Sequence, residues 1–258
     1  MQRFREKMAM SSVKVLFFCL SGFILLAFPR MIEAQGLVIA STSLTGAISK
    51  AAGAKEVKVL TPYEMRHPPE YELKPSDLLG FEGAKVIVYA GYERMVAKLL
   101  ETAKTKDMIA IQIDTGTSPQ NLIEQARRIS KVLGTERKEQ EWEKSFLKKL
   151  KSLREKLSPF SGKRTVIHRF AVPFAEWAGL GIVFAISPGE PTPKVIADAL
   201  SKQPELVLDM LHFPIAKVIA ENAKCKYVQV INFPGVDKTR TLEDIFEYNS
   251  TQLLKTLQ

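Results

Sequence analysis

The centre of this chain carries the pattern that most restricts its fold. Between Glu136 and Leu157, the residues Trp142, Phe146, Leu150, Leu153 and Leu157 recur at steps of four, four, three and four, one stripe of a helix. The other faces are rich in Lys and Glu and belong in water. At about 1.5 Å per residue such a helix spans roughly 33 Å, the width of a small domain. A second helical pattern leads into it from Ser118-Pro119, a hydroxyl cap followed by proline at the first helical position, and runs to Leu133 before Gly134 interrupts. Ser158-Pro159-Phe160-Ser161-Gly162 closes the helical middle. The stripe covers only about two to three heptads, too little to specify a coiled-coil arm.

Short β-branched runs flank this middle in equal number. Leu37–Ser41, Val57–Leu60, Lys85–Tyr89 and Met108–Ile113 read as strands before it. Thr165–His168, Ile182–Ile186, Leu206–Asp209 and Tyr227–Ile231 do so after it. Amphipathic stretches such as Tyr92–Ala103, Thr192–Ser201 and Ile215–Ala223 lie between them. Continuous apolar strands separated by helices predict parallel sheet buried on both faces. The fold class is therefore α/β: two lobes, each a four-stranded, mainly parallel sheet flanked by helices, joined by one long helix. The expected divisions are an N-terminal lobe at 36–117, a connecting helical segment at 118–160 and a C-terminal lobe at 161–258.

Composition narrows the chemistry. With 258 residues, 46% apolar and 25% charged, the chain has the make-up of a globular protein and can bury one large or two modest cores. Two cysteines exclude a disulfide framework, and three histidines (His67, His168 and His212) limit any metal or acid–base chemistry. The net charge of +9 carries no run of five or six like charges and no arginine–aromatic tract, so no nucleic-acid partner is expected. There is no GxSxG, no GxGxxG after the first strand, no GK[ST] loop and no HExxH, and the expectation is a protein without enzymatic activity. Ser41-Thr42-Ser43 after the first strand is small and polar, suited to lining a cleft.

Residues 1–35 read as an export signal. Arg3, Arg5, Lys7 and Lys14 precede an apolar run from Val15 to Phe28, and Ile32-Glu33-Ala34 offers a small residue for cleavage. Left uncleaved, the same segment is an anchor. Removing it leaves one thiol, Cys225, and an exported chain in the periplasm or another extracytoplasmic space.

Four segments resemble one family. Pro68-Pro69-Glu70-Tyr71-Glu72-Leu73-Lys74-Pro75-Ser76-Asp77 is similar to the "DPHxYEPxPSD" stretch of the cluster A-I substrate-binding proteins of ABC transporters, the zinc and manganese receptors. The run His168 to Leu180 resembles that family's "HDAFGYFAxxYGL", and Ile186 to Pro193 resembles its "ISPGxEPSxK". Thr241 to Asn249 resembles its last helix, "TYxxMMRYN". The resemblance covers essentially all of the chain after the export signal and implies the bilobal architecture already read from the periodicity.

It also implies a site of four metal ligands, one from each of four loops. The first aligns with Pro69, with His67 two residues earlier where the family has Asp. The second falls in Ile113-Asp114-Thr115-Gly116-Thr117-Ser118-Pro119, which has neither the family's His nor its Trp. The third is His168, and the fourth, an Asp in the family, is Asn232. Zinc and manganese take about four to six imidazole or carboxylate donors. His168, His67, Asp237 and Asp209 are therefore the candidate metal ligands, with Glu70 and Glu190 as further oxygen donors. Arg66 beside His67 and Arg169 beside His168 repel a bare cation but suit a carboxylate or phosphate, so Arg66, Arg169, Glu70 and Asn232 are candidate ligand-binding residues.

The expected function is an extracytoplasmic solute-binding protein of an ABC importer. It would be a monomer that captures a transition metal ion, zinc before manganese, between its lobes and delivers it to a membrane permease. The metal is cargo, and no organic cofactor is expected. Two alternatives keep the fold: a receptor for an anionic metal chelate or small organic ligand, and an envelope protein that has lost ligand binding.

Overall fold

The computed structural model describes residues 36–258; the expected export signal lies outside the described residues. The chain alternates strand and helix. Strand β1 (Leu37–Ala40) is followed by helix α1 (Ser43–Ala51), β2 (Val57–Val59), the short α2 (Pro75–Leu79), β3 (Ala84–Tyr89), α3 (Val96–Thr105) and β4 (Ile109–Gln112). Helices α4 (Pro119–Leu133) and α5 (Glu136–Leu157) form the middle. Then come β5 (Arg164–His168), α6 (Val172–Ala178), β6 (Gly181–Ile186), α7 (Pro193–Ser201), β7 (Leu206–Met210), α8 (Lys217–Ala223), β8 (Lys226–Val230) and α9 (Leu242–Leu257). The strands build two four-stranded sheets, ordered β2-β1-β3-β4 and β6-β5-β7-β8, with every pairing parallel. Among the described residues no helix is long and apolar enough to cross a membrane.

Strand periodicity decides which core each side chain joins. Successive side chains point to opposite faces. On the first sheet Val38, Val86 and Val88 face a large central cluster, whereas Ile39, Ile87 and Tyr89 face an outer one with Phe81 and Leu99. On the second, Ile167, Leu206 and Leu208 join the same central cluster, and Val166 and Val207 face α7 and α8. The central cluster therefore belongs to both sheets, and Leu122, Ile129, Phe146, Leu150, Ile245 and Phe246 from α4, α5 and α9 fill it.

The helix ends follow the cap chemistry read in the sequence. Ser118 Oγ accepts from the Asn121 N–H ahead of Pro119, and Gly134 ends α4 in the left-handed conformation at φ 66°. Helix α5 runs for 22 residues and buries Phe146, Leu150, Leu153 and Leu157 of the predicted stripe, with Trp142 partly buried against the same cluster. Trp142 stacks on Phe146 at 4.9 Å and donates its indole N–H to Glu243 Oε1 at 2.8 Å, fixing α9 along α5. Phe246 meets Phe146 and Trp177 in T-shaped contacts, so one aromatic cluster joins α5, α6 and α9.

Two helices start later than their hydrophobic pattern predicts. Helix α3 begins at Val96 rather than Tyr92, because the buried Glu93 carboxylate accepts from the Ala90 and Gly91 N–H groups and from Ser41 Oγ. That clamp holds residues 90–93 as a loop. Helix α8 begins at Lys217 rather than Ile215, and the Ile215 and Ala216 N–H groups just before it are given to Asp209 Oδ2, at 2.9 and 2.7 Å.

Candidate functional site

In each sheet the strand order reverses between two central neighbours, β1 and β3 in the first and β5 and β7 in the second. Open α/β sheets hold ligands at the carboxyl ends of strands flanking such a switch point. Here a single cavity of about 770 Å³ takes wall residues from beyond the carboxyl end of all eight strands. The first sheet sends Thr42 from after β1, Arg66 to Glu70 from after β2, Tyr92 from after β3 and Thr115 to Thr117 from after β4. The second sends Arg169, Phe170 and Pro173 after β5, Pro188 after β6, His212 and Phe213 after β7 with Met210 as that strand's last residue, and Asn232 and Phe233 after β8.

Direct contacts between the two sets of loops frame this cavity. His67 meets Phe213 edge-on with ring centroids 5.8 Å apart. Ser43 Oγ donates to the Pro234 carbonyl at 2.7 Å, and the Arg240 guanidinium lies 4.3 Å from the Tyr63 ring centre. Gly235 adopts φ 147°, and a Cβ there would come within 2.0 Å of the Tyr63 carbonyl oxygen, so only glycine allows this approach. Asn249 of α9 accepts from the Ile231 N–H and donates to its carbonyl, both at 2.8 Å, which fixes the chain beside Asn232.

Of the residues predicted for the site, Arg66, His67, Glu70, Arg169 and Asn232 share the cavity wall. Asp209 does not. Its side chain is fully buried and accepts from three backbone N–H groups, those of Met210, Ile215 and Ala216, and from the Tyr227 hydroxyl. A carboxylate so occupied organises the β7 loop. Burial and this carboxylate together push the Tyr227 phenol well above its usual range. Asp237 lies away from the cleft, in a shallower concavity beside α9 with Lys238, Asp244 and Glu247. Glu190 is exposed and is not part of the wall. No group of three or more His, Cys, Asp or Glu side chains able to hold a metal ion occurs among the described residues.

His168 ends β5 fully buried, and its Nδ1 accepts the Phe170 N–H at 3.1 Å. In the neutral ring the proton then sits on Nε2, which is buried and has no partner among the described residues. A metal-bound histidine has the opposite arrangement, donating its second ring N–H to an acceptor. Burial holds His168 below its ordinary pKa, partly opposed by the Asp209 carboxylate.

His212 is a wall residue stacked on Phe233 at 4.2 Å, and its Nε2 is also buried without a partner among the described residues. Burial first, then the positive charges of Arg66 and His67, lowers it from 6.5 to about 4. A histidine less basic in the folded than in the unfolded chain stabilises the fold above the unfolded pKa, and that contribution is lost as pH falls through the folded one. The metal-free protein is therefore expected to lose roughly 2–3 kcal/mol between pH 6.5 and pH 4 through this one residue. Melting temperatures across that window check it: His212→Asn should flatten the slope, and an unchanged slope would refute the assignment.

No protein-family model and no curated protein matches the chain. Solved structures do. The laminin-binding protein Lmb of Streptococcus agalactiae, described as a bifunctional protein with adhesin and metal transporting activity, superposes on 86% of this chain over 100% of its own, with TM-score 0.64 and 17% identity. The fold is that of the metal-binding solute-binding proteins. A periplasmic metal binding protein from Candidatus Liberibacter asiaticus shares this fold over 86% of the present chain and 99% of its own, with TM-score 0.64 and 15% identity. The solute-binding protein FpvC of Pseudomonas aeruginosa, in complex with Mn²⁺, shares it over 85% and 96%, with TM-score 0.63 and 16% identity.

Proposed function

We propose that this chain is an extracytoplasmic solute-binding protein that hands a transition metal, zinc before manganese, to an ABC permease. It works as a monomer and without catalysis, and residues 1–35 export or anchor it. The observation that carries this reading is the interlobe cavity itself. Two imidazoles from opposite lobes, His67 and His212, stand on its wall, and the His212 Nε2 has no partner within the described residues. His67 and His212 are the metal contacts in this reading, while His168 holds the β5 loop beneath them. Proteins of the same fold bind Mn²⁺ or Ni²⁺, and one has metal transporting activity.

Zinc titration of the metal-stripped protein, followed by calorimetry and thermal shift, tests the proposal. One zinc per chain is expected. His67→Ala or His212→Ala should weaken it by at least on the order of tenfold, the loss that even an outer-shell partner costs. Asp237→Ala should leave it unchanged. No bound metal and no shift with Zn²⁺, Mn²⁺ or Ni²⁺, with or without a chelating anion, would overturn it.

A further inference from the structure

The interlobe cavity is a poor match for a naked ion. Its volume, about 770 Å³, is many times the ~30 Å³ that one water occupies in the liquid, so a hydrated divalent cation fills only part of it. Zinc takes four donors. The described wall offers the imidazoles His67 and His212 and the carboxylate Glu70, and no group of three such side chains is close enough to hold an ion together.

What the wall supplies instead is positive charge on apolar surroundings. Arg66 comes from one lobe and Arg169 from the other. Both are exposed, and neither guanidinium has a hydrogen bond or ion pair to any described residue. Two unpartnered guanidiniums repel a bare M²⁺, whereas each holds a carboxylate through a two-pronged, charge-assisted bond. Phe213 and Phe233 stand beside them and provide contact area for carbon rather than for water.

From this arrangement we infer that the cargo is taken as a metal–carboxylate chelate of net negative charge, not as the free ion. Arg66 and Arg169 hold the chelator's carboxylates, His67 and His212 complete the metal's coordination, and Phe213 and Phe233 cover the chelator's backbone. No bond within the chelator is made or broken. The inference rests on the metal-cargo reading above and names the form in which the metal arrives.

Calorimetric titration of the purified, metal-stripped chain with zinc sulfate, with sodium citrate and with preformed zinc citrate tests it. Zinc citrate is expected to bind one to one, about tenfold or more tighter than either component alone. Arg66→Ala/Arg169→Ala should remove that advantage without changing the melting temperature, since both side chains are exposed. Arg66→Lys/Arg169→Lys should recover only part of it, because an ammonium cannot reproduce the fork. Zinc sulfate binding as tightly as zinc citrate, indifferent to the arginine pair, would overturn the chelate and leave the metal receptor standing. Citrate alone binding as tightly as zinc citrate, or no binding of any of the three, would overturn the chelate.

Discussion

Phe146→Ala is expected to lower the unfolding free energy by roughly 3–5 kcal/mol, the usual range for removing a fully buried aromatic ring. Phe146 has 0% exposure and touches Trp142 and Phe246, so its ring joins α5 to α9 as well as filling the central cluster. For a chain of this size the melting temperature should fall by on the order of 10 °C. Leu147→Ala, one residue on and 46% exposed, should change it little. Equal effects at the two positions would refute the shared-core account.

Asp209→Ala should cost about as much, 3–5 kcal/mol, by a different route. It strands three backbone N–H groups and the Tyr227 hydroxyl around a buried space. Asp209→Asn keeps the shape but points N–H at N–H, so it should recover only part of the loss. Tyr227→Phe removes the hydroxyl but leaves the carboxylate its three backbone donors, and should cost less, about 1 kcal/mol. Chemical denaturation of the metal-free protein reads all three. An Asp209→Ala variant of normal stability but defective zinc uptake would instead return Asp209 to the cargo site.

The two variants mark what local sequence discloses. The stripe through Phe146 repeats at helical spacing and needs no partner to be recognised, and the same holds for the eight apolar strands and the Ser118-Pro119 cap. Parallel sheets and a long central helix were legible for that reason. Asp209 was not. An acid at a strand end looks like a cargo ligand until one knows which N–H groups converge on it, and those lie six and seven residues later in a loop of unmarked sequence. Glu93 repeats the lesson, since its partner Ser41 sits 52 residues away and shifts the start of α3. The wall aromatics Phe170, Phe213 and Phe233 also escaped notice, because a phenylalanine after a strand ordinarily reads as core. A useful signal was present: Phe213 and Phe233 each precede a proline at the carboxyl end of a strand, where the chain must turn. Arg66 and Arg169 were legible through their histidine neighbours alone.

The central cluster has a consequence for anyone who handles the molecule in pieces. Its side chains come from both sheets and from α4, α5 and α9, so a cut on either side of the connecting helices leaves each fragment with half of a hydrophobic interior open to water. Neither fragment would serve as a stand-alone reagent. The lobes are two halves in topology, but expression, labelling and unfolding will treat them as one object.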